Sequence, residues 1–158
     1  MRFAERLWIM VDVETSGPVY GRHSMVELGA AVGSRERGVL DRFSALLRPT
    51  GEVVEQSRET TARARLHGQD PAQVMAELVR WARPHQDARG TFLARPAAFD
   101  WPWIVHYCWT FLGTNPLGFK AICASSWLES RGKRFDVKLP HEAVEDAEIQ
   151  LRWFLEHG

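Results

Sequence analysis

Cysteine is scarce: only Cys108 and Cys123 occur in 158 residues, and their spacing suits no metal. A disulfide-stapled scaffold and a structural zinc site are therefore excluded as organising principles. Net charge is also missing, because twenty Lys+Arg balance twenty Asp+Glu. No overall field draws in a long polyanion, so any nucleic-acid contact must be local and short. Long apolar runs are absent too. The run Leu7–Val11 is too short for a signal-peptide core and leads straight into acid. Nothing approaches the ~20 apolar residues of a membrane span. There is no internal repeat, low-complexity tract or linker, and no feature sets an oligomeric state. The expectation is a cytoplasmic protein with no membrane partner, folded as a single domain over residues 1–158. Lysine is rare as well, 3 against 17 arginines. Coding bias accounts for most of that, although the arginine fork also suits phosphate.

What is present is ordinary for a globular chain: 45% hydrophobic and 25% charged residues, enough to bury a core unaided. Leu7 to Val13 is a continuous apolar run ending in charge, the mark of a buried central strand. Thr15-Ser16-Gly17-Pro18 breaks it. Met25–Val32 and Val39–Leu47 read as two further strands joined by the polar turn Ser34–Gly38, an antiparallel meander. Residues 50–70 lack a clean period and read as loop with at most a short helix. Asp70-Pro71 opens a helix carrying Ala72, Met75, Leu78, Val79 and Ala82 at helical spacing. Thr91–Ala94 is a short strand. Trp101–Leu112 reads as a helix closed by Gly113, with Asp100 suited to cap it. Ser126–Glu129 resembles a capping box. A last helix covers about 143–156, with Val144, Ala147, Leu151 and Phe154 on its buried stripe. Three strands, then helices interleaved with a strand, predict an α/β domain with helices packed on a sheet.

Three short segments carry acids. Asp12 and Glu14 are two apart in a strand and so share one face at its C-terminal end. Two carboxylates that close repel unless a proton or cation lies between them, and a hard divalent ion such as Mg²⁺ or Mn²⁺ suits oxygen ligands. Asp100 precedes Trp101-Pro102. His141 precedes the last helix and Asp146 lies in its first turns, with alanines at 143 and 147 leaving room for close packing. Taken singly, each acid has a structural explanation: a solvated strand end, an N-cap, an acidic helix N-terminus. Together, four carboxylates could hold two cations ~4 Å apart, the spacing of two-metal phosphoryl chemistry. A histidine beside them can take a proton from water near neutral pH.

Asp12-Val13-Glu14-Thr15-Ser16-Gly17 resembles the first motif of the DEDD exonuclease superfamily. Ala97-Ala98-Phe99-Asp100 is similar to the second. His141-x-Ala143-x-x-Asp146-Ala147 is similar to the third, in its histidine-containing DEDDh (DnaQ-like) form. The motifs stand in family order from residue 12 to residue 147. Met25–Ala30 also looks like that family's second strand. The resemblance implies a ribonuclease H-like fold, a five-stranded mixed sheet with helices on both faces. It implies a 3′-5′ exonuclease that releases nucleoside monophosphates from the 3′ end of single-stranded DNA or RNA by two-metal hydrolysis. Asp12, Glu14, Asp100 and Asp146 would be ligands to two Mg²⁺ or Mn²⁺ ions, and His141 the general base. Thr15 and Ser16 would line the terminal nucleotide, and Phe99 would stack on or wedge a base.

Two other functions fit the same motifs: a catalytically weak or inactive nucleic-acid-binding module of this fold, and a phosphohydrolase acting on free nucleotides. Trp8, Trp81 and Trp153 fall on expected buried stripes, and packing is the first explanation for Trp101 and Trp103 as well. Arg58, Arg63, Arg65 and His67 form a local basic cluster, most simply a solvated face.

Overall fold

The protein is described from a computed structural model that covers residues 5–54 and 58–158. Strands β1 (Trp8–Thr15), β2 (Met25–Ser34) and β3 (Gly38–Leu46) lead into helices α1 (Arg58–His67) and α2 (Pro71–Asp87). Strand β4 (Thr91–Ala94), helix α3 (Ala97–Leu112), strand β5 (Ile122–Cys123) and helices α4 (Ala124–Glu129) and α5 (Ala143–His157) follow. The sheet has five strands in the order β3-β2-β1-β4-β5. β1/β2 and β2/β3 are antiparallel, and β1/β4 and β4/β5 are parallel.

β1 is central and covered on both faces, which is why its sequence is apolar without alternation. One core joins Ile9, Val11 and Val13 of β1 to Val74, Met75 and Leu78 of α2 and to Trp103, Ile104 and Tyr107 of α3. The other joins Trp8 and Met10 to Leu128 of α4 and to Ala147, Leu151 and Phe154 of α5. Helices therefore cover both faces, and the mixed α/β sheet expected from the motifs is the one observed. β3, at the edge, is mostly open to solvent, with Ala45 its one buried residue.

Several boundaries differ from expectation. The 50–70 segment contains a full ten-residue helix; residues 55–57 and the Arg58 side chain lie outside what is described. α3 starts at Ala97, not Trp101, with Pro96 as its N-cap and no side-chain cap. Asp100 is thus inside the first turn and is not the cap. α4 starts at Ala124, so Ser126 lies within the helix and forms no capping box. The two-residue strand β5 is too short to show a period. Trp8 is core, whereas Trp81 and Trp153 are half-buried. Trp81 Nε1 donates to Asp41 at 2.9 Å, and Trp153 stacks on His157. Val144 is half-buried, and Asp146 and Gln150 take its place on the buried stripe.

Candidate active site

The site grows out of β1. Its even-numbered side chains face α5: Trp8 and Met10 are core, and then Asp12 and Glu14 turn that face acidic. α5 can reach them because Gly29 stands opposite Asp12 in the β1/β2 ladder. A Cβ on Gly29 would lie 2.1 Å from the Ala143 carbonyl carbon, so the N-terminus of α5 seats on the sheet only over glycine. That seating brings Asp146 and Gln150 to β1. Gln150 Nε2 donates to Asp12 Oδ1 at 3.2 Å within the protein.

Asp100 arrives from the other face of the sheet. β4 pairs with β1 only as far as Met10, so amides further along that side need another acceptor. The Val13 amide donates to Asp100 Oδ1 at 3.0 Å, and Asp100 is 3% exposed. His141 enters α5 with φ of 63°, a left-handed conformation that histidine adopts rarely. Asp146 holds it there: the His141 amide donates to Asp146 Oδ1 at 3.1 Å. The ring of His141 is exposed, and ligand atoms of Glu14, His141 and Asp146 all lie within 4.8 Å of one another. The tight group is this trio, and the buried Asp12 interacts with all three other acids, Asp100, Asp146 and Glu14.

Burial, reinforced by Asp100, Asp146 and Glu14, pushes the Asp12 carboxyl up to about 9, although the Gln150 hydrogen bond opposes the shift. Burial, then Asp146 and Glu27, pushes Glu14 up to about 7, with His141 opposing. Burial takes Asp100 to about 7 against the pull of two backbone amides. Asp146 is raised as well, chiefly by burial. None of these four acids has an arginine or lysine ion-pair partner among the described residues. A pocket of oxygen donors that resist ionisation without countercharge fits hard divalent cations.

Thr15 and Phe99 are half-buried beside the acids, and Phe99 meets Trp103 edge-on at 6.4 Å. Ser16 departs from the expectation that it faces a nucleotide. It is fully buried; its hydroxyl donates to the Glu52 carbonyl at 2.6 Å and accepts from the Ser24 amide at 2.8 Å. Its own amide donates to the Ser24 carbonyl at 2.8 Å. With both groups engaged, Ser16 ties the loop after β1 to the 50–54 segment. Trp101 and Trp103 are core residues at 5% and 0% exposure, consistent with packing.

Three residues at the site escaped sequence reasoning. Gln150 is one helical turn past Asp146, a spacing that could have flagged it. Glu27, the ladder partner of Glu14, is buried, accepts from the Ala143 amide and has Arg63 at 3.6 Å. This gives one member of the basic cluster at 58–67 a partner beside the site. Arg95 follows β4 and feels the charge of Asp12.

No protein-family model matches the chain. A relative from Escherichia coli, the 3′-5′ DNA exonuclease Cap18, is 31% identical over an alignment covering 98% of this chain and 92% of Cap18. Among solved structures, the nuclease domain of 3′hExo, a DEDDh family member bound to rAMP, superposes with a TM-score of 0.64 at 13% identity. That match covers 96% of this chain and 91% of 3′hExo's. E. coli Exonuclease I in complex with a 5cy-dA13 oligonucleotide superposes with a TM-score of 0.72 at 12% identity, covering 96% of this chain and 39% of the larger one. No helix among the described residues is long and apolar enough to cross a membrane. An identity of 31% along nearly the whole chain, over a fold shared with DEDDh nucleases, makes this protein an enzyme: it belongs to the DEDDh family of 3′-5′ exonucleases, with the ribonuclease H-like fold.

Proposed function

We propose that the protein hydrolyses the terminal phosphodiester at the 3′ end of a single strand, releasing nucleoside monophosphates, with DNA preferred to RNA. One observation carries this reading: Glu14, His141 and Asp146 meet within 4.8 Å at the end of the strand that also carries Asp12. Cap18 is named as a DNA exonuclease, which favours DNA. Exonuclease I is seen with an oligonucleotide, which favours a single strand. The rAMP bound to 3′hExo favours a mononucleotide product.

Asp12, Glu14, Asp100 and Asp146 would hold two divalent ions, Mg²⁺ or Mn²⁺. Bound there, they would supply positive charge to the phosphodiester and lower the pKa of water. Gln150 fixes the Asp12 carboxylate, and the Val13 amide fixes that of Asp100. His141, exposed beside Glu14 and Asp146, takes the proton of the attacking water. Thr15 and Phe99 line the terminal nucleotide, and Ser16 supports them from behind. Residues 1–158 act as one domain, and the two free cysteines suit a cytoplasmic setting.

The test is a panel of 5′-labelled single-stranded DNA, single-stranded RNA, a dinucleotide and free triphosphates, each with Mg²⁺ or Mn²⁺. A ladder shortening from the 3′ end, with mononucleotide products, is expected. Internal cuts, or free triphosphates consumed faster than strands, would overturn the reading. RNA outrunning DNA would reverse the sugar preference alone.

A further inference from the structure

Arg95 stands where β4 ends. The β1/β4 register ends at Met10–Leu93, and Arg95 lies in the turn just beyond it, near enough for the charge of Asp12 to act on its guanidinium. Its contact with Phe135, which packs against the cluster containing Leu93 and Met10, puts it on that face of the sheet. Its guanidinium lies over the Phe135 ring, 4.3 Å from the centroid. Arg95 enters no ion pair among the described residues. Its Nη1 is sealed from solvent and donates to nothing. The side chain as a whole is half-buried, and a cation without an ion-pair partner favours an anion on its accessible side.

That side chain borders a cleft of about 160 Å³, lined also by Ser125, Glu129, Arg134 and Phe135. Two guanidiniums and a hydroxyl face it against one carboxylate, and Glu129 is solvent-exposed. Forked donors beside a hydroxyl match the oxygens of a phosphate.

We propose that Arg95 and Arg134 bind the backbone phosphate on the 5′ side of the linkage being cut. This rests on the exonuclease reading above and names the part of the strand the enzyme grips. The location follows from two facts. Arg95 feels the charge of Asp12 yet forms an ion pair with none of the four site carboxylates, so its anion sits beside the metal-binding acids and not among them. A strand cut at its last linkage has no phosphate further toward the 3′ end, so a second phosphate lies on the 5′ side, and the next one is the nearest to the site. Cleavage from a 3′ end also makes this contact reusable: each step delivers a new phosphate to the same cleft.

The experiment compares an all-phosphate single strand with one carrying a single neutral methylphosphonate at the second linkage from the 3′ end. Release of the terminal nucleotide is followed with wild type, Arg95→Ala, Arg95→Lys and Arg134→Ala. Arg95→Ala should raise KM on the normal strand by roughly 10–100-fold with kcat within about threefold, the loss expected for one charge-assisted contact. Arg95→Lys keeps the charge without the fork and should fall between. Arg134→Ala, at an exposed contact, should raise KM less, by roughly 1.5- to fivefold. Wild type on the methylphosphonate strand should show a KM rise like that of Arg95→Ala. Arg95→Ala on that strand should be no worse than either change alone. The salt dependence of KM should shrink by about one phosphate contact. Independent, multiplying losses, or a loss confined to kcat, would overturn the assignment while leaving the exonuclease reading intact. A wild type that cuts neither strand would overturn both. If Arg95→Ala does not fold, the same cycle with Arg134→Ala decides.

Discussion

The two faces of β1 differ in what they are made of and what they do. Ile9, Val11 and Val13 stay apolar to the end of the strand and meet α2 and α3. Trp8 and Met10 begin the same way on the other face, but Asp12 and Glu14 follow, and α5 meets them with Asp146 and Gln150. One strand thus anchors the fold along one side and opens into chemistry at the end of the other. The acid-bearing face is the less stable arrangement when no cation is present. The carboxyls of Asp12 and Glu14 there, and that of Asp100 reaching the same strand end from α3, are pushed up to about 9 at Asp12 and about 7 at Glu14 and Asp100. Stability and activity should therefore respond oppositely to changes on the two faces.

Asp12→Asn should separate them most sharply. Turnover should fall to background because a shared ligand is lost. The metal-free protein should melt higher, by ~2–4 °C for each kcal/mol of cost removed in keeping the buried carboxyl protonated. Oligonucleotide hydrolysis and thermal melting in chelator check the pair. Unchanged turnover, or a lower melting temperature, would make Asp12 a structural acid.

His141→Ala should lose about 10²–10⁴-fold in rate, the usual worth of a general base, with divalent-ion affinity largely kept. Single-turnover kinetics and titration calorimetry measure the two halves.

On the opposite face, Ile9→Ala should cost about 2–5 kcal/mol of stability, since Ile9 is fully buried. Turnover per folded molecule should stay near wild type. Denaturant melts and active-site titration test this, and a selective loss of kcat would show that the faces are coupled.

The gentlest probe is pH. The folded chain keeps protons on Asp12, Glu14 and Asp100 that the unfolded chain has released above its ordinary carboxylate range. Their contribution is therefore whole below about pH 4 and declines as pH rises, to about 7 for Glu14 and Asp100 and about 9 for Asp12. Metal-free protein should lose stability, on the order of 1 kcal/mol per pH unit for each group still protonated, most steeply below about pH 7 where all three contribute, and Mg²⁺ should flatten the slope. Urea melts at pH 5, 7 and 9, with and without chelator, read it directly.

The readability of the chain follows the same division. β1, β2, β3, α2 and α5 were legible because their patterns are long and periodic, and Asp70-Pro71 announces its helix: the Asp70 carboxylate caps Ala72 and Gln73. β5 was not, because two residues carry no period. The start of α3 was displaced because Trp101-Pro102 looks like a first turn, while Asp100 is occupied with the Val13 amide. Among the site residues, Asp12, Glu14, Asp100, His141 and Asp146 stand in recognisable short motifs. Ser16 misled because a hydroxyl in a motif says nothing of which way it turns. Gln150, Glu27 and Arg95 were silent because their meaning lies in placement: Glu27 opposite Glu14, Arg95 in the turn after β4, Gln150 a turn beyond Asp146.

The central claim is that the acidic end of β1 holds the metals while His141 stays free to move a proton. Anomalous diffraction from crystals soaked in Mn²⁺ tests it most directly. The account predicts two peaks bounded by Asp12, Glu14, Asp100 and Asp146, with the His141 ring outside both coordination shells. A peak ligated by His141 together with Glu14 and Asp146, or no peak among these acids, would contradict it.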